Sequence, residues 1–91
     1  MDAKLLYRFK EAYGPGVIEG VIWEVPVPVT PSEHHVKYRL VFIVNGCRLV
    51  GYDNERGKGD HKHIREDEIA YSFRDVATLI RDFMRDVEEV S

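Results

Sequence analysis

Cysteine, long apolar runs and a surplus of charge are all scarce in this sequence, and each scarcity removes a class of explanation. Cys47 is the single cysteine, so neither an intramolecular disulfide nor a CxxC zinc or redox motif can form. A reducing compartment fits that usage. The longest apolar runs, such as Leu40-Val41-Phe42-Ile43-Val44, are far short of the ~20 residues that span a bilayer, and no signal-peptide apolar region opens the chain. A cytoplasmic protein is expected. The formal net charge of −3 argues against a strongly basic nucleic-acid binder but leaves room for a local basic patch. There is no HExxH motif and no internal repeat.

What is present suffices for one small fold. With 91 residues, 44% of them hydrophobic, and five Tyr, four Phe and one Trp, the chain can build one core, and residues 1–91 are read as a single domain. Charge is unevenly spread. Residues 1–65 hold ten Lys/Arg against eight Asp/Glu, whereas residues 66–91 hold three against eight. The acid gathers in the tail, so a basic surface can persist elsewhere.

Leu5, Tyr7 and Phe9 alternate with Leu6, Arg8 and Lys10 ahead of Tyr13-Gly14-Pro15-Gly16, which predicts a strand and a turn. The β-branched stretch 17–25, with Trp23, predicts a second strand, and Pro26, Pro28 and Pro31 then impose an extended loop. Asn45-Gly46 predicts a type I′ hairpin between 36–44 and 47–53, because both turn positions need positive φ. Its simplest register sets Val44 opposite Cys47, Ile43 opposite Arg48, Val41 opposite Val50 and Arg39 opposite Tyr52. Leu40, Phe42, Val44, Cys47 and Leu49 would then face the core. Arg39, Val41, Ile43, Arg48, Val50 and Tyr52 would form a mixed outer face. The stripe Val76, Leu79, Ile80, Phe83, Met84, Val87 and Val90 predicts an amphipathic helix. Ser72 and Asp75 resemble a capping box, and Asp82 and Asp86 fall on the charged side. The expected fold class is α+β, a four-stranded, mostly antiparallel sheet with one long C-terminal helix packed on one face.

Between hairpin and helix lies Tyr52-Asp53-Asn54-Glu55-Arg56-Gly57-Lys58-Gly59-Asp60-His61-Lys62-His63, a turn-rich stretch with almost no apolar content. A loop carrying chemistry is the expectation. Gly57 and Gly59 permit close backbone approach, Arg56, Lys58 and Lys62 suit phosphate or carboxylate oxygens, and His61 and His63 exchange protons near neutrality. Structural roles compete with these: turn formation for Asp53, Asn54 and the glycines, a cap for one histidine, and solvent exposure for Lys62. Glu66-Asp67-Glu68 reads as a charged loop, Trp23 as a core or partner-contact aromatic, and Cys47 as a small buried hydrophobe.

Val21-Ile22-Trp23-Glu24-Val25-Pro26, Lys37-Tyr38-Arg39-Leu40, the YDN…GKGDHxH run from Val50 to His63 and the helix from Phe73 to Val87 together resemble the TumE family of small prokaryotic toxin-antitoxin toxins. The resemblance implies a toxin neutralised by a helix-turn-helix antitoxin. It supplies no reaction, so chemistry has to come from the residues. The leading expectation is RNA cleavage without metal or cofactor. His61 and His63 would be the acid–base pair, Lys58 and Arg56 phosphate stabilisers, the Gly57 and Gly59 amides an anion nest, and Asp60 the group fixing a histidine tautomer. Tyr52 and Arg39, adjacent across the hairpin, would stack on a base or hold a phosphate, with Lys62 in the same binding set. Three alternatives stand beside it: a module that binds RNA or antitoxin without chemistry, a divalent-metal hydrolase using Asp60, His61, His63, His34 and His35, and a homodimer that buries Val41, Ile43 and Val50 of the mixed face.

Overall fold

The computed structural model describes residues 2–91 and contains six strands and one helix. The strands are β1 (Lys4–Tyr13), β2 (Gly16–Glu24), β3 (Val36–Val44), β4 (Cys47–Glu55), β5 (Gly59–Ile64) and β6 (Asp67–Ala70), followed by α1 (Val76–Val90). All neighbours pair antiparallel in the order β1 to β6, so the sheet is an up-and-down meander. Asn45 at φ 51° and Gly46 at φ 78° make the β3–β4 turn as Asn-Gly pairs do.

Helix α1 packs across β3 and β4. Ile22, Tyr38, Leu40, Phe42, Val50 and Tyr52 from the sheet meet Leu79, Phe83 and Val87 from the helix in one fully buried cluster. Each of the three helix side chains contributes roughly 1.5–3 kcal/mol by leaving water. The cap is Asp75 rather than a Ser72 capping box: the Asp75 carboxylate accepts the Thr78 N–H at 2.7 Å. Asp86 also departs from expectation, being 6% exposed.

The sheet has six strands where four are expected, because the glycine-rich segment is not a loop. Arg56-Gly57-Lys58 turns the chain between β4 and β5, and Arg65-Glu66 turns it again into β6. The β3–β4 register also differs beyond the turn. Val44 pairs with Cys47 and Ile43 with Arg48, but a bulge at Leu49 then sets Phe42 against Val50, Leu40 against Tyr52 and Arg39 against Asp53. One extra residue reverses which side each later side chain takes. Val50 and Tyr52 therefore turn into the core, while Cys47 is exposed. Val41 is itself buried within the chain, so the apolar strip expected to drive dimerisation is largely internal.

The helix covers one side of the sheet, and the pairing fixes what the other side carries. Arg8, Lys10, Trp23, Arg39 and Arg48 share that open face with Asp53, His61, His63 and Glu68.

Candidate functional site

Strand alternation divides the candidate residues between the two sides of the sheet. Asp60 and Lys62 point to the helix side, and His61 and His63 to the open face, as the pairing of Asn54 with Asp60, Tyr52 with Lys62, Asp53 with His61 and Gly51 with His63 requires.

The helix-side residues are engaged in holding the fold. Asp60 Oδ2 accepts the Tyr38 hydroxyl at 2.7 Å and His34 Nε2–H at 2.7 Å, while Ser32 donates to Oδ1. The Val36 N–H donates to His34 Nδ1 at 3.2 Å, which leaves the ring proton on Nε2. Asp60 thus fixes a histidine tautomer, but that of His34 rather than of His61 or His63. Burial and the Asp60 carboxylate together push the Tyr38 hydroxyl pKa up. Asn54 closes this network by accepting the Tyr38 N–H at 3.0 Å and donating to the Val36 carbonyl at 2.7 Å. The network clamps the proline-rich segment to β5.

Lys62 lies 3.0 Å from Asp86 Oδ2, and Tyr52 donates its hydroxyl to the same carboxylate. Burial and then Asp86 raise the Tyr52 pKa. Tyr52 has no exposed surface, so it offers no stacking platform, and Arg39 sits beside Asp53 instead. The Gly57 N–H donates to the Thr30 carbonyl at 2.8 Å, which removes it from an anion nest. Gly57 and Gly59 have φ of 88° and 74°, so their conformational freedom serves the turn. Arg56 is exposed at its tip.

The open-face residues converge. The His61 and His63 rings meet edge-on at 5.2 Å between centroids. His61 Nε2 is 2.6 Å from Asp53 Oδ1, and Glu68 Oε1 is 3.8 Å from His61 Nε2 and 3.9 Å from His63 Nε2. Lys58 reaches Glu68 at 2.9 Å, which raises the lysine pKa and lowers that of the glutamate. Only 6% of the His61 side chain is exposed against 19% for His63, so His63 is the accessible imidazole. Burial first, and the nearby Arg48 guanidinium second, hold His63 below the ordinary imidazole pKa. Gly51 makes that approach possible: a Cβ there would lie 3.0 Å from Arg48 Cδ, so the arginine crosses β4 over bare backbone.

Sequence reasoning passes over Asp53, Glu68 and Arg48 as site members. Glu68 joins only through the β5–β6 hairpin, which places it opposite His63. Further along the same face, Arg8, Lys10, Glu19, Trp23 and Arg39 line a shallow depression of about 440 Å³.

The family model described as Toxin TumE matches residues 3–91. The chain belongs to the TumE toxin family. Among curated proteins and among solved structures nothing matches. TumE membership makes this chain a toxin of a toxin-antitoxin system and implies an antitoxin partner. No helix among the described residues of this TumE chain is long and apolar enough to cross a membrane.

Proposed function

We propose that this chain is the toxin of a prokaryotic type II system, that its target is RNA, and that it cleaves the strand at the His61–His63–Glu68 corner. The carrying observation is the charge arrangement of the open face, where Arg8, Lys10, Arg39 and Arg48 lead across the sheet to that corner. A polyanionic strand is attracted to such a face, and Trp23 in the depression offers a ring on which a base stacks. Cleavage of RNA removes a proton from a 2′-hydroxyl, forms a bond from that oxygen to phosphorus, and expels the 5′-oxygen, which takes up a proton. His63 is the imidazole a substrate can reach, and Arg48 and Lys58 stand where charge on the phosphoryl oxygens needs cations. Asp60, Lys62 and Tyr52 have no part in this reading, since each is occupied on the helix side.

The test is incubation of purified protein with labelled RNA, with and without chelator, beside growth measurements on induction. His63→Ala, with its fold verified by circular dichroism, should lose cleavage by two orders of magnitude or more and no longer arrest growth. A folded His63→Ala protein that still cleaves and still arrests would remove the corner from the mechanism. RNA binding and growth arrest without cleavage by the unaltered protein would favour the non-catalytic binding module.

A further inference from the structure

The histidine corner contains an electrostatic conflict that a cation resolves. His61 Nδ1 lies 3.1 Å from the Gly59 carbonyl. A carbonyl oxygen only accepts, so Nδ1 carries the proton of the neutral ring and Nε2 presents a lone pair. That lone pair is 2.6 Å from Asp53 Oδ1, a buried oxygen at which no N–H or O–H is directed. Two electron-rich atoms so placed, with little water around them, repel unless positive charge sits beside both. A proton on Nε2 would make an ion pair with Asp53, but the 2.6 Å contact forms no hydrogen bond and leaves Oδ1 without a donor. An ion about 2 Å out on the Nε2 axis, by contrast, is within reach of an off-axis carboxylate oxygen.

We propose that His61, His63 and Glu68, with Asp53 as fourth donor, bind one divalent transition-metal ion of the zinc type. One donor atom from each of the first three falls within 4.8 Å of the others. Tetrahedral coordination with bonds of about 2.0–2.1 Å needs donors roughly 3.4 Å apart, so the exposed Glu68 side chain has to close in by rotation from 3.8–3.9 Å, Asp53 Oδ1 has to open from 2.6 Å, and the imidazoles have to settle about the ion. The Gly59 carbonyl on Nδ1 is the kind of outer partner that orients a metal-bound imidazole. Two imidazoles with carboxylates suit Zn²⁺, Co²⁺ or Mn²⁺ better than Mg²⁺ or Ca²⁺, which prefer oxygen shells. The set differs from the one the sequence suggests: His34 and Asp60 are paired on the helix side, and His35 Nδ1–H donates to the Val25 carbonyl. Lys58 sets the threshold, because its ammonium holds the Glu68 oxygen that the ion requires. An ion here would lower the pKa of bound water and polarise a phosphoryl oxygen. That use rests on the RNA-directed reading and moves proton removal there from His63, whose lone pair the ion would take, to metal-bound water, whereas binding of the ion does not depend on that reading.

Chelator-stripped protein titrated with Co²⁺ tests the site through visible d–d absorption, followed by displacement with Zn²⁺. One Co²⁺ per chain with an intense, low-coordinate spectrum is expected. His63→Ala and Glu68→Ala should each weaken binding about tenfold or more, Lys58→Met should tighten it, and His35→Ala should leave it unchanged, with circular dichroism verifying each fold. No stoichiometric binding, or equal binding by unaltered protein and a folded His63→Ala variant, overturns the site. If RNA cleavage persists in chelator and no cobalt binds, the metal proposal falls and the ribonuclease reading stands. If cobalt binds with the expected variant pattern while RNA stays intact, the site stands and the ribonuclease reading falls.

Discussion

Lys62 is held from two directions, by Asp86 Oδ2 at 3.0 Å and by the Tyr52 ring 5.6 Å from its ammonium. Its side chain is 18% exposed and that of Asp86 only 7%, so removing the ammonium leaves a carboxylate that water reaches poorly. Loss of one partner from a buried pair costs roughly 3–5 kcal/mol, and the partial exposure here puts Lys62→Met toward about 3 kcal/mol. Urea denaturation should register that loss, while RNA affinity in the folded variant should stay unchanged. Unaltered stability with weakened RNA binding would instead return Lys62 to the substrate-binding set. Tyr52 is less sensitive to conservative change, because Tyr52→Phe keeps the ring in the core and Lys62 remains to pair with Asp86.

Helix α1 is fixed at its start by the bond from the Thr78 N–H to the Asp75 carboxylate, and that bond holds the Asp75 pKa below the ordinary aspartate value. A folded-state pKa that is lowered stabilises above the unfolded value, and the contribution disappears as pH falls through the lowered one. Asp75→Ala should therefore denature at lower urea than the unaltered protein at neutral pH, with the gap closing below about pH 4. Asp75→Asn keeps an acceptor for Thr78 and should show a smaller loss. A gap that persists undiminished to pH 2 would deny the carboxylate its capping role. The helix and the Asn45-Gly46 hairpin are legible in sequence because apolar spacing and a two-residue φ requirement each leave a local mark. β5 leaves little: of its inward positions only Ile64 is apolar, while Asp60 and Lys62 are satisfied by Tyr38, His34 and Asp86 rather than by apolar neighbours. The Leu49 bulge leaves no compositional trace either, yet it decides the side taken by Tyr52. The 52–63 segment is thus identifiable as chemically rich, but the sorting of its residues into structural and open-face sets depends on pairing that sequence does not reveal.

Across the whole molecule the sheet separates two environments. Acidic α1 covers one side, and the open face gathers Arg8, Lys10, Arg39 and Arg48 among Glu19, Asp53 and Glu68, so a chain of net charge −3 still clusters cations there. Binding of a single strand along that surface releases counterions, and log K falls with log salt by about 0.7 per neutralised phosphate. Arg8→Ala, Lys10→Ala and Arg39→Ala should each weaken binding of a labelled single-stranded RNA in fluorescence anisotropy and flatten the salt dependence by about that amount if each meets one phosphate. Arg81→Ala and Arg85→Ala remove the same charge from α1, where both residues are exposed, and serve as matched controls for overall charge. Because a change in net charge acts on every variant alike, only a contact on the open face separates the two groups. Equal slopes for all five variants would mean that the strand does not run along the open face, and would leave the His61–His63 corner without the approach path that its function requires.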